Sequence, residues 1–201
     1  MASPLLIAAL CMGKRHTGAF LFCFAGMGMC LLSAYLNTFL AALYGADAFA
    51  ATVEIAPVVE EGMKLLPLLF YLLVFEPQAR QIGIAAVITA LSFATFENIC
   101  YLIQNGAAHF SFIFFRGIGT GAMHVICGAI VGGGLAYVWR RTWLKIAGTC
   151  GLLGAAITFH AIYNLLIAYG GTAQYIAYLL PVGILAAGKL IFLFFLKKFD
   201  F

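Results

Sequence analysis

Polar side chains with chemistry in them interrupt four apolar runs of this sequence. Glu60, Glu61 and Lys64 lie in the run from Ala51 to Phe75, and Glu97 and Asn98 in that from Gln81 to Gln104. His124 lies in the run from Phe112 to Val138, and His160 and Asn164 in that from Ile146 to Tyr169. A carboxylate beside a histidine, away from water, suits a general base that takes a proton from a water molecule. A histidine with an asparagine amide one turn away supplies donors for the oxygen of a tetrahedral intermediate. Together these groups describe amide hydrolysis by activated water. A serine nucleophile is not implied, because Ser92 and Ser111 have no histidine at a suggestive position.

Two other chemistries use the same residues. Two histidines with one or two glutamates satisfy zinc and leave a position for water, so Glu60, Glu61, His124 and His160 form an alternative metal set. No HExxH is present, and the ligands would come from separate helices. A transporter could relay protons through Glu54, Glu60, Glu61, Glu97, His124 and His160. The two-fold internal repeat that many transporters carry is not visible in the sequence. The expectation is hydrolysis by a glutamate-activated water without a cofactor, with Zn2+ as the alternative, and a non-catalytic scaffold as a further reading.

Spacing allows the polar islands to meet. Residues three or four apart share a helix face, so Lys64 can reach both Glu60 and Glu61, and His160 stacks with Asn164. Adjacent Glu60 and Glu61 point ~100° apart and are expected to do different jobs. Glu60, Glu61 and His124 lie ~15 to 18 Å from one end of their runs, and Glu97 and His160 ~10 to 14 Å, on the same side. Gly117, Gly121, His124, Gly128 and Gly132 form a small-residue stripe that invites close approach of another helix.

The elements that must position these groups follow from composition. The chain has 201 residues, 65% hydrophobic and 9% charged, with a mean hydropathy of +1.07. Such a surface requires lipid as its solvent. The expectation is an all-α polytopic bundle forming one integral membrane domain over residues 1–201, with a catalytic core at about 50–170. Six spans are read from the runs Thr17–Tyr44, Ala51–Phe75, Gln81–Gln104, Phe112–Val138, Ile146–Tyr169 and Gln174–Leu196. The short run Pro4–Gly13 is read as a seventh, thinned span. Six cysteines lie in apolar runs without a CxxC pair and read as small buried hydrophobes.

Of the 11 Lys and Arg, Lys14, Arg15, Arg80, Arg140, Arg141, Lys145, Lys197 and Lys198 fall in alternate joints, and the intervening joints hold none. By the positive-inside rule the carboxyl terminus and the Arg140 joint face the cytoplasm. The net charge of +4 is therefore a topology signal, and nucleic acid is not an expected partner. Arg116, one turn into its run, is expected to snorkel outward.

The motifs Glu60-Glu61-x-x-Lys64, Phe93-x-x-x-Glu97-Asn98, His124-x-x-x-Gly128 and His160-x-x-x-Asn164, in this order, resemble the PrsW family of intramembrane proteases. That family is related to the CAAX prenyl endopeptidases and the CPBP proteins. The resemblance covers residues 50–170 and implies an endopeptidase that cuts membrane-anchored, single-pass proteins, in some bacterial members an anti-sigma factor. It implies a bacterial cell membrane with the site toward the extracytoplasmic half. Carried over by motif, Glu60 activates water with His124, while His160 and Asn164 stabilise the oxyanion. Glu61 orients Lys64, and Glu97 and Asn98 support the site or orient substrate. The prenyl endopeptidases instead resemble EExxxR and lack the Glu-Asn pair, so the base is either Glu60 or Glu61.

Overall fold

A backbone in lipid must satisfy its own hydrogen bonds, and every regular element among the described residues is helical. The computed structural model describes residues 14–106 and 110–198. Helix α1 is Lys14–Tyr44, α2 is the single turn Ala48–Ala50, and a π-helical stretch Ala51–Ile55 leads into α3, Ala56–Phe75. Then come α4 (Ala79–Asn105), α5 (Phe110–Val138), a 3-10 turn (Thr142–Leu144), α6 (Lys145–Tyr169) and α7 (Gly171–Lys198). These bounds match the apolar runs to within a few residues. The run Pro4–Gly13 lies outside the described residues.

Among the described residues five stretches are long and apolar enough to cross a membrane: Gly18–Tyr44, Ala79–Gln104, Ile113–Val138, Thr142–Tyr169 and Gly171–Leu190. The chain is an integral membrane protein. The expected span over Ala51–Phe75 does not qualify by composition, since α3 carries Glu60, Glu61 and Lys64 within two turns. Instead α3 is enclosed by α1, α4 and α6. Its three charges thereby point into protein, and Leu66, Phe70 and Leu73 on its other side are exposed as a lipid-facing surface would be.

Helix α5 is the central element, packing on α4, α6 and α7. Met123, Cys127 and Leu135 of α5 meet Leu65, Leu68 and Leu72 of α3 in the core. The α4–α5 contact is close because Gly128 and Gly132 face alanines. A Cβ on Gly128 would stand 2.7 Å from the Ala90 Cβ, and one on Gly132 2.5 Å from that of Ala86. Gly117 and Gly121 meet nothing within 4 Å, so only the half of the stripe after His124 is a packing face.

The π stretch has a local cause. In its register Ala56 N–H bonds the Ala51 carbonyl, and the next donor would be residue 57, which is proline and has no N–H. The Thr52 carbonyl is met instead by the Asn164 side chain, whose Nδ2 donates to it at 2.9 Å.

Candidate active site

Helices α3, α4, α5 and α6 each deliver part of one connected network. Lys64 Nζ lies 2.6 Å from Glu61 Oε1 and 2.7 Å from His124 Nδ1. An ammonium only donates, so His124 Nδ1 accepts, and Nε2–H donates to Glu97 Oε2 at 2.8 Å. His160 Nδ1–H donates to Glu61 Oε1 at 2.9 Å, which leaves a lone pair on His160 Nε2. That nitrogen faces Glu60 Oε2 at 3.9 Å. The two imidazoles meet edge to face, with centroids 5.0 Å apart at 87°. Phe93 seals one flank, its ring 4.7 Å from Lys64 Nζ and 5.3 Å from the His124 ring.

The adjacent glutamates do diverge. Glu61 is bound by Lys64 and His160, whereas Glu60 receives a long bond of 3.4 Å from Asn37 Nδ2 on Oε1 and has no hydrogen-bond partner on Oε2. Lys64 bonds Glu61, three residues back, rather than Glu60. With neutral histidines, Glu60, Glu61 and Glu97 against Lys64 and Arg116 leave one negative charge to be offset. A buried charge without compensation is costly, so the site is built to face a cation or a proton.

Glu97 stands closer to the centre than a supporting role required. It bridges His124 and Arg116, whose Nη2 donates to Oε1 at 3.3 Å. Arg116 does not snorkel outward. Its guanidinium lies 3.7 Å over the Tyr101 ring and turns inward because Glu97 offers a charge partner there. Asn98 is outside the network, with a buried Oδ1 lacking a partner. Asn164 is one turn from His160, and its amide nitrogen is engaged by Thr52. Glu54 is exposed and apart from the cluster.

A cavity of about 710 Å³ reaches this cluster from the end of the bundle where α1 ends and α6 ends. Glu60, Glu97 and His160 form part of its wall, with Asn37, Gln104 and Asn164. Asn37 is the residue that sequence reasoning missed. Its only signal is an amide set in the otherwise apolar stretch of α1.

The chain matches the family described as PrsW family intramembrane metalloprotease over residues 14–188. It belongs to the PrsW family. As a PrsW protein it is an intramembrane protease, a hydrolase acting on peptide bonds. Comparison with curated proteins and with solved structures finds no match. The match extends beyond the motif region to include α1, which carries Asn37. The family's description and the geometry both fit the Zn2+ alternative: one ligand atom each from Glu60, His124 and His160 lies within 4.8 Å of the others. Zinc takes such nitrogen and carboxylate donors. The orphaned Glu60 Oε2 and the His160 Nε2 lone pair are the donors a cation would need.

Proposed function

We propose that this PrsW protein cleaves single-pass, membrane-anchored proteins, with Glu60, His124 and His160 holding a zinc ion. The observation that carries this reading is the buried Glu60 Oε2, unpartnered on the wall of a large cavity and facing an available histidine nitrogen. When bound, zinc polarises a carbonyl and lowers the pKa of water toward neutrality. Glu61 holds the His160 ring by its Nδ1–H, the carboxylate–histidine arrangement that orients metal ligands. Lys64 fixes Glu61 and keeps both histidine rings in place. Were His124 to ligate the ion through Nε2, the Glu97 oxygen it now bonds would be freed to accept a proton from water, with Arg116 anchoring the other oxygen.

The cavity's polar wall supports a membrane substrate. A transmembrane helix must open before its peptide bond can be attacked, and the freed backbone groups need partners in place of water. Asn37, Gln104, Thr120 and Asn164 offer donors and acceptors for such an unwound segment. The cavity is at the end of the bundle whose joints hold no cations, which supports a site in the extracytoplasmic half of the membrane, the bacterial cell membrane on this reading. On this reading α3 crosses as a sixth span and the carboxyl terminus is cytoplasmic.

A second reading keeps the chemistry metal-free, with Glu60 activating water itself. It is favoured by His124, both of whose nitrogens are engaged, by Lys64 and Glu97. The experiment is cleavage of a panel of single-pass substrates by purified protein, comparing wild type, Glu60→Gln and His124→Ala with and without a chelator. Loss on chelation and rescue by zinc supports the metal reading. Cleavage that survives chelation and disappears in both variants replaces it with the glutamate mechanism.

A further inference from the structure

At the opposite end of the bundle a separate cavity of about 330 Å³ lies between the α3–α4 joint and the α5–α6 joint. Its floor is apolar, from Leu72 and Ile82, and its charged lining is Glu76, Arg140 and Lys145. Among the described residues none of these three charges has an ion-pair partner. Trp139 completes the wall, with Lys145 Nζ 5.2 Å from its ring and its indole N–H donating to Thr149 Oγ1 at 3.2 Å.

Glu76 is held unusually. It is the non-glycine residue with positive φ among the described residues, at φ 44 and ψ 53. Other positive-φ positions, Gly45, Gly106, Gly170 and Gly171, are glycines. A side chain in the left-handed region is uncommon, and a following proline already disfavours helical backbone at the residue before it. The turn would form more easily with glycine, so the carboxylate on the cavity wall calls for a partner.

Location supplies the chemistry of that partner. The cavity adjoins the ends of the candidate spans at Ala79, Val138 and Thr142, the depth at which phospholipid headgroups lie. Basic pockets between membrane helices bind phosphate-bearing headgroups, and tryptophan is favoured at that level. Here two cations and one anion share the site. We propose that this cavity binds a zwitterionic phospholipid with a primary ammonium, phosphatidylethanolamine in chemistry. Its phosphate lies against Arg140 and Lys145, and its ammonium donates to Glu76. The acyl chains run along the exposed apolar flank beginning at Leu73.

This site is remote from the protease cluster, so its test does not depend on cleavage. The full chain is purified in detergent, and thermal unfolding and native mass spectrometry are followed on adding phosphatidylethanolamine, phosphatidylglycerol, phosphatidylcholine or inorganic phosphate. Phosphatidylethanolamine is expected to bind most tightly and to raise Tm most. Arg140→Ala with Lys145→Ala weakens binding of all three lipids, roughly fivefold per lost cation. Glu76→Gln removes only the preference for phosphatidylethanolamine. Glu76→Gly removes the same preference while raising Tm in lipid-free detergent, which separates loss of the ligand from loss of the fold. Equal responses to the three lipids, a preference that persists in both Glu76 variants, or stabilisation by inorganic phosphate alone would each overturn the proposal.

Discussion

Replacing Lys64 by methionine tests the electrostatic logic of the cluster. The ammonium is held between Glu61 Oε1 at 2.6 Å and His124 Nδ1 at 2.7 Å, and the Lys64 and Glu61 side chains are 7% and 3% exposed. Removing one member of a buried pair leaves the other charge uncompensated, at a cost of about 3–5 kcal/mol. His160 still donates to Glu61, which places Lys64→Met toward the lower bound. Glu61→Gln together with Lys64→Met removes both charges at nearly constant volume. That double variant should recover most of the loss, with a coupling energy of about 2–3 kcal/mol. The assay is equilibrium unfolding in mixed micelles for wild type, both single variants and the double. Proteolysis should be lost in the double, because a neutral glutamine at 61 no longer places a negative charge against His160 and His124 has lost its Nδ1 partner. A Lys64→Met variant within about 1 kcal/mol of wild type, or a double variant as unstable as the sum of the singles, would refute the argument.

Glu60→Gln should abolish cleavage and leave stability within about 1 kcal/mol, since Oε2 has no partner to lose; activity and unfolding measured on one preparation check this. Gly128→Leu should destabilise by about 1–3 kcal/mol through overpacking against Ala90 and Ala86, whereas Gly121→Ala, with open space around it, should be neutral or stabilising in the same unfolding assay. Asn164→Ala leaves the exposed Thr52 carbonyl without its donor and should cost about 0.5–1.5 kcal/mol, with Asn164→Asp giving no rescue because a carboxylate cannot donate. Metal analysis should show one zinc bound per chain, removed by dialysis against a chelator and absent in His160→Ala.

Helix positions were legible because a single segment in lipid can satisfy its own backbone only as a helix, and apolar runs such as Phe112–Val138 are long enough to span as one. The polar islands were legible for the same reason, since Glu60 or His124 inside such a run has no routine explanation. Their partners were less so. Arg116 and Glu97 are 19 residues apart on two helices, and sequence depth alone could not show that the arginine turns inward. Asn37 is 23 residues before Glu60 with no shared spacing to mark the contact. The role of Asn164 was hidden as well. Its hydrogen bond answers a donor missing at Pro57, which becomes visible only when the preceding turn is known to be π-helical.

That bond joins the rim of the large cavity to its floor. Thr52 belongs to the segment between α1 and α3 at the cavity's mouth, and Asn164 is one helical turn from His160. Widening the entrance by displacing this segment must therefore either break the bond or pull on the backbone that carries His160. On the proposed function, admission of a polypeptide and alignment of the histidine would be mechanically linked, so that the entrance would act as a lever on the floor beneath it and not as a passive opening.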